Sequence, residues 1–485
     1  MKVEPPEPTA LVIFGASGDL TSRKLLPAVY HLFHEGMLPG SFAVVGVART
    51  EMTDDAFRDH AREAIGQHGR CEVHDEMWDE FAPALTYRAT DLAQPGALDH
   101  LRRHLEDLDR TRGTEGRRLF YLSTPPEAYR DIVRRLAESG LNEGSRVVIE
   151  KPYGTDLEDM RDLDRAVHDV FDEPRIFRID HYLGKETVQN VLALRFANSF
   201  FEPLWNHRYV DHVQLTVAED IGIEGRGSFY ERTGALKDMV QTHLFQVLTF
   251  LAMEPPPAFD PERLRDEKVK VLRAMRPVRP EDVVLGQYQG YRDERNVAPD
   301  SRVNTFVAMR VEIDNWRWAG VPFFLRTGKR LARKQAEATV VFKEVPHLIF
   351  EQLGMGPVDP NRLSIRFQPD EGLSMAFTVQ KPGLGLQLEP ASLDFDYGTA
   401  FDTPLVEAYE LLLLEAMRGD PTLFTRSEGV ERAWEVLQPL LEDLPDVHTY
   451  ERGSWGPQAA DELIAPRRWW MCPRGSRSPH TAGGD

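Results

Sequence analysis

Several things are scarce in this chain, and each scarcity closes a class of function. Only two cysteines are present, Cys71 and Cys472, too few for a disulfide framework or a cysteine metal site, so no metal and a reducing compartment are expected. No apolar run approaches the roughly 18 residues that a membrane span needs. The opening MKVEPPEPTA has acids and prolines where a secretory signal has basic residues and an apolar stretch, and a cytoplasmic protein is expected. Positive charge is short as well: 58 Lys and Arg stand against 78 Asp and Glu, a net charge of −20. That balance speaks against nucleic acid or an anionic membrane as partner, and any anionic ligand needs a local basic site.

What is there has two textures. Up to about residue 180, buried apolar runs (Leu11 to Gly15, Phe42 to Val47, Leu119 to Leu122, Val147 to Ile149) alternate with amphipathic helical stretches, the order of a doubly wound parallel sheet. After His181, period-two alternation takes over, as in Val213-Leu215-Val217, Val307 to Ile313, Leu363 to Phe367, Met375 to Val379 and Leu393 to Tyr397. An α/β plus α+β chain is therefore expected. A Rossmann-like domain over 1–180 precedes a domain over 181–485 whose large, mostly antiparallel sheet buries one face. Helices near 230–253, 403–418 and 428–442 are expected on that face, with a disordered tail over 474–485. Two proline-rich stretches, at 254–257 and 277–280, read as connectors.

The first candidate site is the turn Gly15-Ala16-Ser17-Gly18-Asp19-Leu20 between a strand and a helical pattern. Glycines there let backbone N–H groups and a helix N-terminus approach a pyrophosphate. The next strand ends in Arg49-Thr50 where an NAD enzyme carries an acid, which favours a 2′-phosphate and hence NADP over NAD; a merely solvated arginine fits the same position. Lys151, in Glu150-Lys151-Pro152-Tyr153-Gly154, stands at the carboxyl end of a parallel strand, as a ligand cation or in a surface salt bridge.

A run of donors, Arg178-Ile179-Asp180-His181-Tyr182-Leu183-Gly184-Lys185-Glu186, marks the change of texture. His181 and Lys185 share a face if the run is a helical turn, and with Tyr182 they suit a phosphate dianion; Asp180 also reads as a helix cap. His243 lies in a strongly apolar helix. Such a histidine is more often a satisfied core residue, although a base with a pKa near working pH is what oxidation of a hydroxyl requires.

With these segments in view, the chain resembles the glucose-6-phosphate dehydrogenase family from Gly15 to about Trp455, with support from Glu224-Gly225-Arg226-Gly227 and Arg326-Thr327-Gly328-Lys329. The resemblance implies oxidation of D-glucose 6-phosphate to 6-phospho-D-glucono-1,5-lactone with hydride transfer to NADP, and a homodimer or homotetramer. It implies that His243 is the proton acceptor, oriented by Asp180, and it assigns His181, Tyr182 and Lys185 to the phosphate. Lys151 would serve substrate and cofactor. Glu219 and Asp238 would accept from sugar hydroxyls, with Lys329, Lys334 and Gln368 closing the pocket. On the cofactor side it implies Gly15 through Lys24, Arg49, Asp91 and Leu92 near the adenine, and Tyr129 beside the nicotinamide. Gln335 and Trp455 depart from the pattern of a second, structural NADP site. Two rivals are a two-domain oxidoreductase of unphosphorylated sugars and a catalytically silent NADP-binding regulator. The donors His181 and Lys185 speak against the first, and the joint presence of Asp180, His243 and Lys151 against the second.

Overall fold

A computed structural model describes residues 5–94, 96–350, 358–401 and 406–472, so the expected tail at 474–485 lies outside the described residues. Where the sequence suggests a division at residue 180, the structure divides into two discontinuous units. The first comprises 1–186, 256–269 and 406–434, and the second 187–255, 270–405 and 435–485.

The first unit is built on six parallel strands: β1 (Thr9–Phe14), β2 (Phe42–Ala48), β3 (Leu85–Ala89), β4 (Arg118–Leu122), β5 (Arg146–Ile149) and β6 (Ile176–Arg178), in the order β3-β2-β1-β4-β5-β6. All six residues of β1 are buried, as a central strand covered on both faces requires. Because β1 lies between β2 and β4, the strand order reverses beside it, which opens a crevice at the carboxyl ends. The sequence reading missed β3 and β6. Thr86 and Arg88 interrupt the apolar run of β3, where Arg88 pairs with Asp54 at 2.9 Å, and β6 is only three residues long.

The helix expected at 403–418 runs over Ala408–Arg418 and belongs to this unit, not to the second sheet. Its Tyr409, Leu412, Leu413, Leu414, Ala416 and Met417 join the core of the first sheet. A capping box of Glu407 and Glu410 starts it, and Gly419 in the left-handed region ends it. Glu410 is buried but matched by His31 and Arg70, each 3.2 Å away.

The second unit holds nine strands: β7 (Val210–Ala218), β8 (Val283–Tyr288), β9 (Phe306–Val311), β10 (Phe323–Gly328), β11 (Gln335–Phe342), β12 (Arg362–Gln368), β13 (Gly372–Gln380), β14 (Leu388–Asp396) and β15 (Val447–Tyr450). All neighbours in this sheet pair antiparallel except β7 with β10 and β8 with β15. The expectation of one buried face needs correction for β7, β10 and β11, whose residues are buried on both. The period-two pattern is real, but its polar face, carrying Gln214, Thr216, Arg326 and Glu337, is covered too.

The cover is the C-terminal segment 467–472. Arg467 pairs with Asp211 at 2.6 Å, Gln214 donates to the Arg468 carbonyl at 2.8 Å and accepts from the Trp470 N–H at 2.8 Å, and the Arg326 guanidinium lies 4.3 Å from the Trp469 ring centre. The Cys472 N–H donates to Glu337 at 3.2 Å, and the Gln335 amide donates to the same carboxylate. Gln335 thus serves the fold, as does Trp455, 5.1 Å from the Arg326 guanidinium.

Burial pushes the Glu337 carboxyl up to about 7 against an ordinary 4.5, with Cys472, Gln335, Arg326 and Arg333 opposing. The folded chain then binds more protons here than the unfolded chain across that interval. This group's contribution to stability is therefore greatest at low pH and is lost as pH rises through the window, at up to about 1.4 kcal/mol per pH unit. Glu337→Gln removes the charge and keeps one acceptor oxygen, so its urea midpoint relative to the parent should rise between pH 5 and pH 8; parallel midpoints would contradict this.

Candidate functional site

Parallel strands end on one edge, and the first unit places its chemistry there. Gly15 follows β1, Arg49 follows β2, Asp91 stands shortly after β3, Lys151 shortly after β5 and Asp180 shortly after β6. Gly15 has φ +85°, and a Cβ there would meet the Ser123 carbonyl oxygen, beyond β4, at 2.0 Å; only glycine lets the two strand ends come this close. The N–H groups of Gly15 and Ala16 donate to the Val47 carbonyl at 2.8 and 3.2 Å, and the Gly18 N–H returns to Gly15 O at 2.9 Å. The helical run opens directly after this turn and includes one wide π-turn over Thr21–Leu25. A turn opened by Gly15 and Gly18 at a helix N-terminus fits a dinucleotide pyrophosphate, with Gly15 through Leu20 as the residues that would hold it.

Arg49 and Thr50 are exposed beside this turn, with the Thr50 hydroxyl 3.5 Å from that of Ser17. Asp91 accepts from the Ala93 N–H at 3.1 Å and from Gln94 at 3.3 Å. These bonds, with the charge of Arg49, hold its carboxyl below the ordinary range, so β2 and β3 bring Arg49 and Asp91 to one neighbourhood. Leu92 gives its carbonyl to Arg135 at 3.1 Å. Lys24 is ion-paired to Glu407 at 2.9 Å. Tyr129 is buried and donates to the Glu150 carbonyl at 3.1 Å.

Lys151 is half-buried, and its bond to Pro152 is cis. Its neighbour Glu150 turns inward and accepts from the Tyr121 hydroxyl at 2.6 Å; burial raises its carboxyl, with Tyr121 and Lys151 opposing. Arg178 belongs to the frame rather than the site. It is buried, paired to Asp164 and Glu173 at 2.9 Å each, and lies 4.8 Å from the Tyr153 ring centre.

Residues 181–184 form turns, and the helix begins only at Glu186, so the expected helical sharing of a face by His181 and Lys185 does not occur. The donors meet by another route. The Asp180 carboxylate, 3% exposed, accepts the Tyr182 N–H at 3.0 Å, and the Asp180 carbonyl accepts the Leu183 N–H at 3.0 Å. The chain folds back, so that the Lys185 ammonium lies 4.1 Å from the Tyr182 ring centre, itself 5.1 Å from that of His181. His181 stacks at 14° on Tyr409 with centroids 6.3 Å apart. Gly184 permits the close approach behind this, since a Cβ would lie 2.8 Å from the Ala408 carbonyl and 3.0 Å from Leu412.

In the second unit, register places the candidates. Ala218 at the end of β7 pairs with Gly328 at the end of β10 and with Gln335 at the start of β11, so Glu219, Lys329 and Lys334 sit at one end of adjacent strands. Gln368, opposite Ala336, ends β12 at the same edge. The Glu219 and Lys329 side chains form an ion pair, with the Lys329 ammonium 5.7 Å from the Tyr230 ring centre. Tyr230 is buried and its hydroxyl has no hydrogen-bond partner among the described residues, while the charges of Asp238 and Glu219 add to burial in raising it. Lys334 is exposed.

The helix expected over 230–253 is interrupted: Gly234, at φ +58°, breaks it, and Asn304 receives the N–H groups of Ala235 and Leu236 at 2.8 and 2.9 Å. A π-helical segment, Leu236–Leu244, follows and carries both Asp238 and the fully buried His243. Wide turns of this kind recur at functional positions because they re-aim side chains within a helix.

Sequence reading missed Tyr409, Tyr230 and Lys268. Lys268 is 4% exposed, and burial pushes its ammonium down to about 7 while Asp180 opposes the shift. Its signal was available: it lies at the i+4 position from Leu264 in the apolar stripe of the helix Pro261–Ala274. Among the described residues no cluster of His, Cys, Asp or Glu could hold a metal, and no helix is long and apolar enough to cross a membrane.

Residues 12–190 match the family model described as glucose-6-phosphate dehydrogenase, NAD binding domain, and residues 192–471 match that of its C-terminal domain. Glucose-6-phosphate 1-dehydrogenase of Aggregatibacter actinomycetemcomitans is 46% identical, over 97% of this chain and 98% of that protein. The protein of the same name from Chlamydia pneumoniae is 44% identical over 94% of both. Among solved structures, glucose-6-phosphate 1-dehydrogenase from Mycobacterium avium superposes with a TM-score of 0.88 at 40% identity, covering 97% of this chain and 99% of that one. A glucose-6-phosphate dehydrogenase in complex with its substrate glucose-6-phosphate gives 0.89 at 34% identity, covering 98% and 100%.

The fit at Gly184 is tight enough to test. Gly184→Ala should lower stability by about 1–3 kcal/mol, the scale of an overpacked contact, read as a urea midpoint shift; an unchanged midpoint would mean that the turn moves freely from the helix.

Proposed function

The chain belongs to the glucose-6-phosphate dehydrogenase family, and we propose that it oxidises D-glucose 6-phosphate at its anomeric carbon, yielding 6-phospho-D-glucono-1,5-lactone. The observation that carries the reading is the turn 180–185. There an imidazole, a phenol and an ammonium are gathered by ring contacts, offering N–H and O–H donors on an otherwise acidic chain. A sugar phosphate needs such donors and a free sugar does not.

His181, Tyr182 and Lys185 bind the phosphate, and Lys151 adds charge at the strand end. Glu219 and Asp238 accept from sugar hydroxyls, while Lys329 holds Glu219 in place; Lys334 and Gln368 complete the sugar contacts. His243 takes the proton of the anomeric hydroxyl, and Asp180 orients the ring and offsets the charge that it gains. The nicotinamide, when bound, supplies the acceptor for the hydride that leaves the same carbon. Arg49 and Thr50 select a 2′-phosphate, which makes NADP the preferred dinucleotide, with Gly15 through Lys24, Asp91, Leu92 and Tyr129 around it. We place the protein in the cytoplasm.

His243→Asn should lower kcat by two or more orders of magnitude, the effect of losing a positioned base, with KM for the sugar phosphate largely kept. Near-normal turnover would remove His243 from this role. Arg49→Ala should raise KM for NADP far more than KM for NAD, and equal losses would place the 2′-phosphate elsewhere. Steady-state rates with glucose 6-phosphate against free glucose test the reading as a whole: preference for the free sugar overturns it.

A further inference from the structure

The turn after β10 is held in one shape from two sides. Lys329, 3% exposed, gives its N–H to the Thr305 carbonyl at 2.9 Å. Arg330 after it has φ +51°, a left-handed conformation that a non-glycine residue keeps only where its surroundings enforce it. On one side the turn is tied to the end of β7. The Glu219 N–H donates to the Gly328 carbonyl at 3.0 Å, the Leu331 N–H to the Glu219 carbonyl at 2.9 Å and the Arg330 N–H to the Ile221 carbonyl at 2.9 Å. These bonds bring the Glu219 and Lys329 side chains into their ion pair. They leave the carbonyls of Lys329 and Arg330 to be met from elsewhere.

Both are met by residues at the end of β15, more than a hundred positions later. The buried Tyr450 hydroxyl donates to the Lys329 carbonyl at 2.7 Å, and the Gly453 N–H donates to the Arg330 carbonyl at 2.8 Å. A second carbonyl near that hydroxyl, of Thr305, is more distant at 3.3 Å. Because the one phenolic proton goes to Lys329, the Thr305 hydroxyl is the donor in its 3.1 Å contact with the Tyr450 oxygen, while it accepts from the Tyr288 N–H at 3.0 Å. The Tyr450 ring is fixed as well, 5.6 Å from that of Phe306 and 6.5 Å from that of Tyr288. A rigid phenol thus sets the backbone from which the Lys329 side chain springs, all within the second unit.

We propose that Tyr450 is a positioning residue for the sugar site: its hydroxyl fixes the Lys329 backbone, so that the ammonium keeps the Glu219 carboxylate aimed at the sugar. This rests on the reading in which Glu219 accepts from sugar hydroxyls and Lys329 holds it in place. Without the phenolic proton the Lys329 carbonyl loses its donor, the left-handed turn at Arg330 relaxes, and the ion pair shifts with it. Tyr450 acts through Lys329 and meets no substrate atom itself.

Steady-state kinetics of Tyr450→Phe test this, since phenylalanine keeps the ring packing and removes only the hydroxyl. KM for glucose 6-phosphate should rise about fivefold, the scale of one net hydrogen bond, while kcat and KM for NADP stay within about twofold of the parent's. A KM for glucose 6-phosphate that does not move, or equal rises in both KM values, overturns the proposal and leaves Tyr450 a packing residue. Adding Tyr450→Phe to Lys329→Met should change KM no further, because the residue through which it acts is gone; a second rise of the same size overturns the route through Lys329. Lys329→Met alone separates the two ideas. A raised KM for glucose 6-phosphate there, with none in Tyr450→Phe, refutes only the role of Tyr450, while a parent-like KM in Lys329→Met removes the reading on which it rests.

Discussion

The seating of the helix Ala408–Arg418 on the first sheet is the constraint from which much of the first unit follows. Its apolar face completes the core beneath the parallel strands, and its first residue fixes how near the turn carrying Asp180, His181, Tyr182 and Lys185 can come. Glycine at 184 is the response to that nearness. Tyr409, one residue on, extends the same contact into the ring stack with His181. Glu410 then must be buried, and the fold answers with His31 and Arg70. One hydrophobic docking event thereby sets the geometry of a polar turn more than two hundred residues earlier in the chain.

Much of this could be read from residue order, and the failures have physical causes. The strand ends bearing Gly15, Arg49 and Lys151 were legible because parallel strands buried on both faces leave unbroken apolar runs, and turn chemistry marks their ends. β3 was lost because Arg88 finds its anion in Asp54, a partner that no local pattern reveals. The alternation of β7 was legible, but the burial of its polar face was not, since the segment 467–472 that covers it carries arginines and tryptophans with no period. At 180–185 the donors were identifiable, whereas their meeting through backfolding and ring contacts depends on side-chain directions that spacing cannot specify.

Buried charge is handled alike in both units. Interior ions are met by counter-charges or donors from near and far in the sequence: Asp164 and Glu173 for Arg178, and Gln335 with the distant Cys472 for Glu337. Such arrangements add little net stability compared with apolar packing of the same volume, but breaking one of them is costly. They serve where a charge is needed in a fixed place.

The interleaving of the two units bears on how the protein is made. The first unit takes in residues up to 434 of 485, so during synthesis its parallel sheet emerges long before the helix that covers it. Domains whose sequence is continuous can close while the ribosome still works on the rest, at about 5–20 residues per second. Here the nascent dinucleotide-binding sheet must wait, apolar flank uncovered, until the helix Ala408–Arg418 has been made. A chain built this way has reason to depend on chaperones during that interval, more than its ordinary size would suggest.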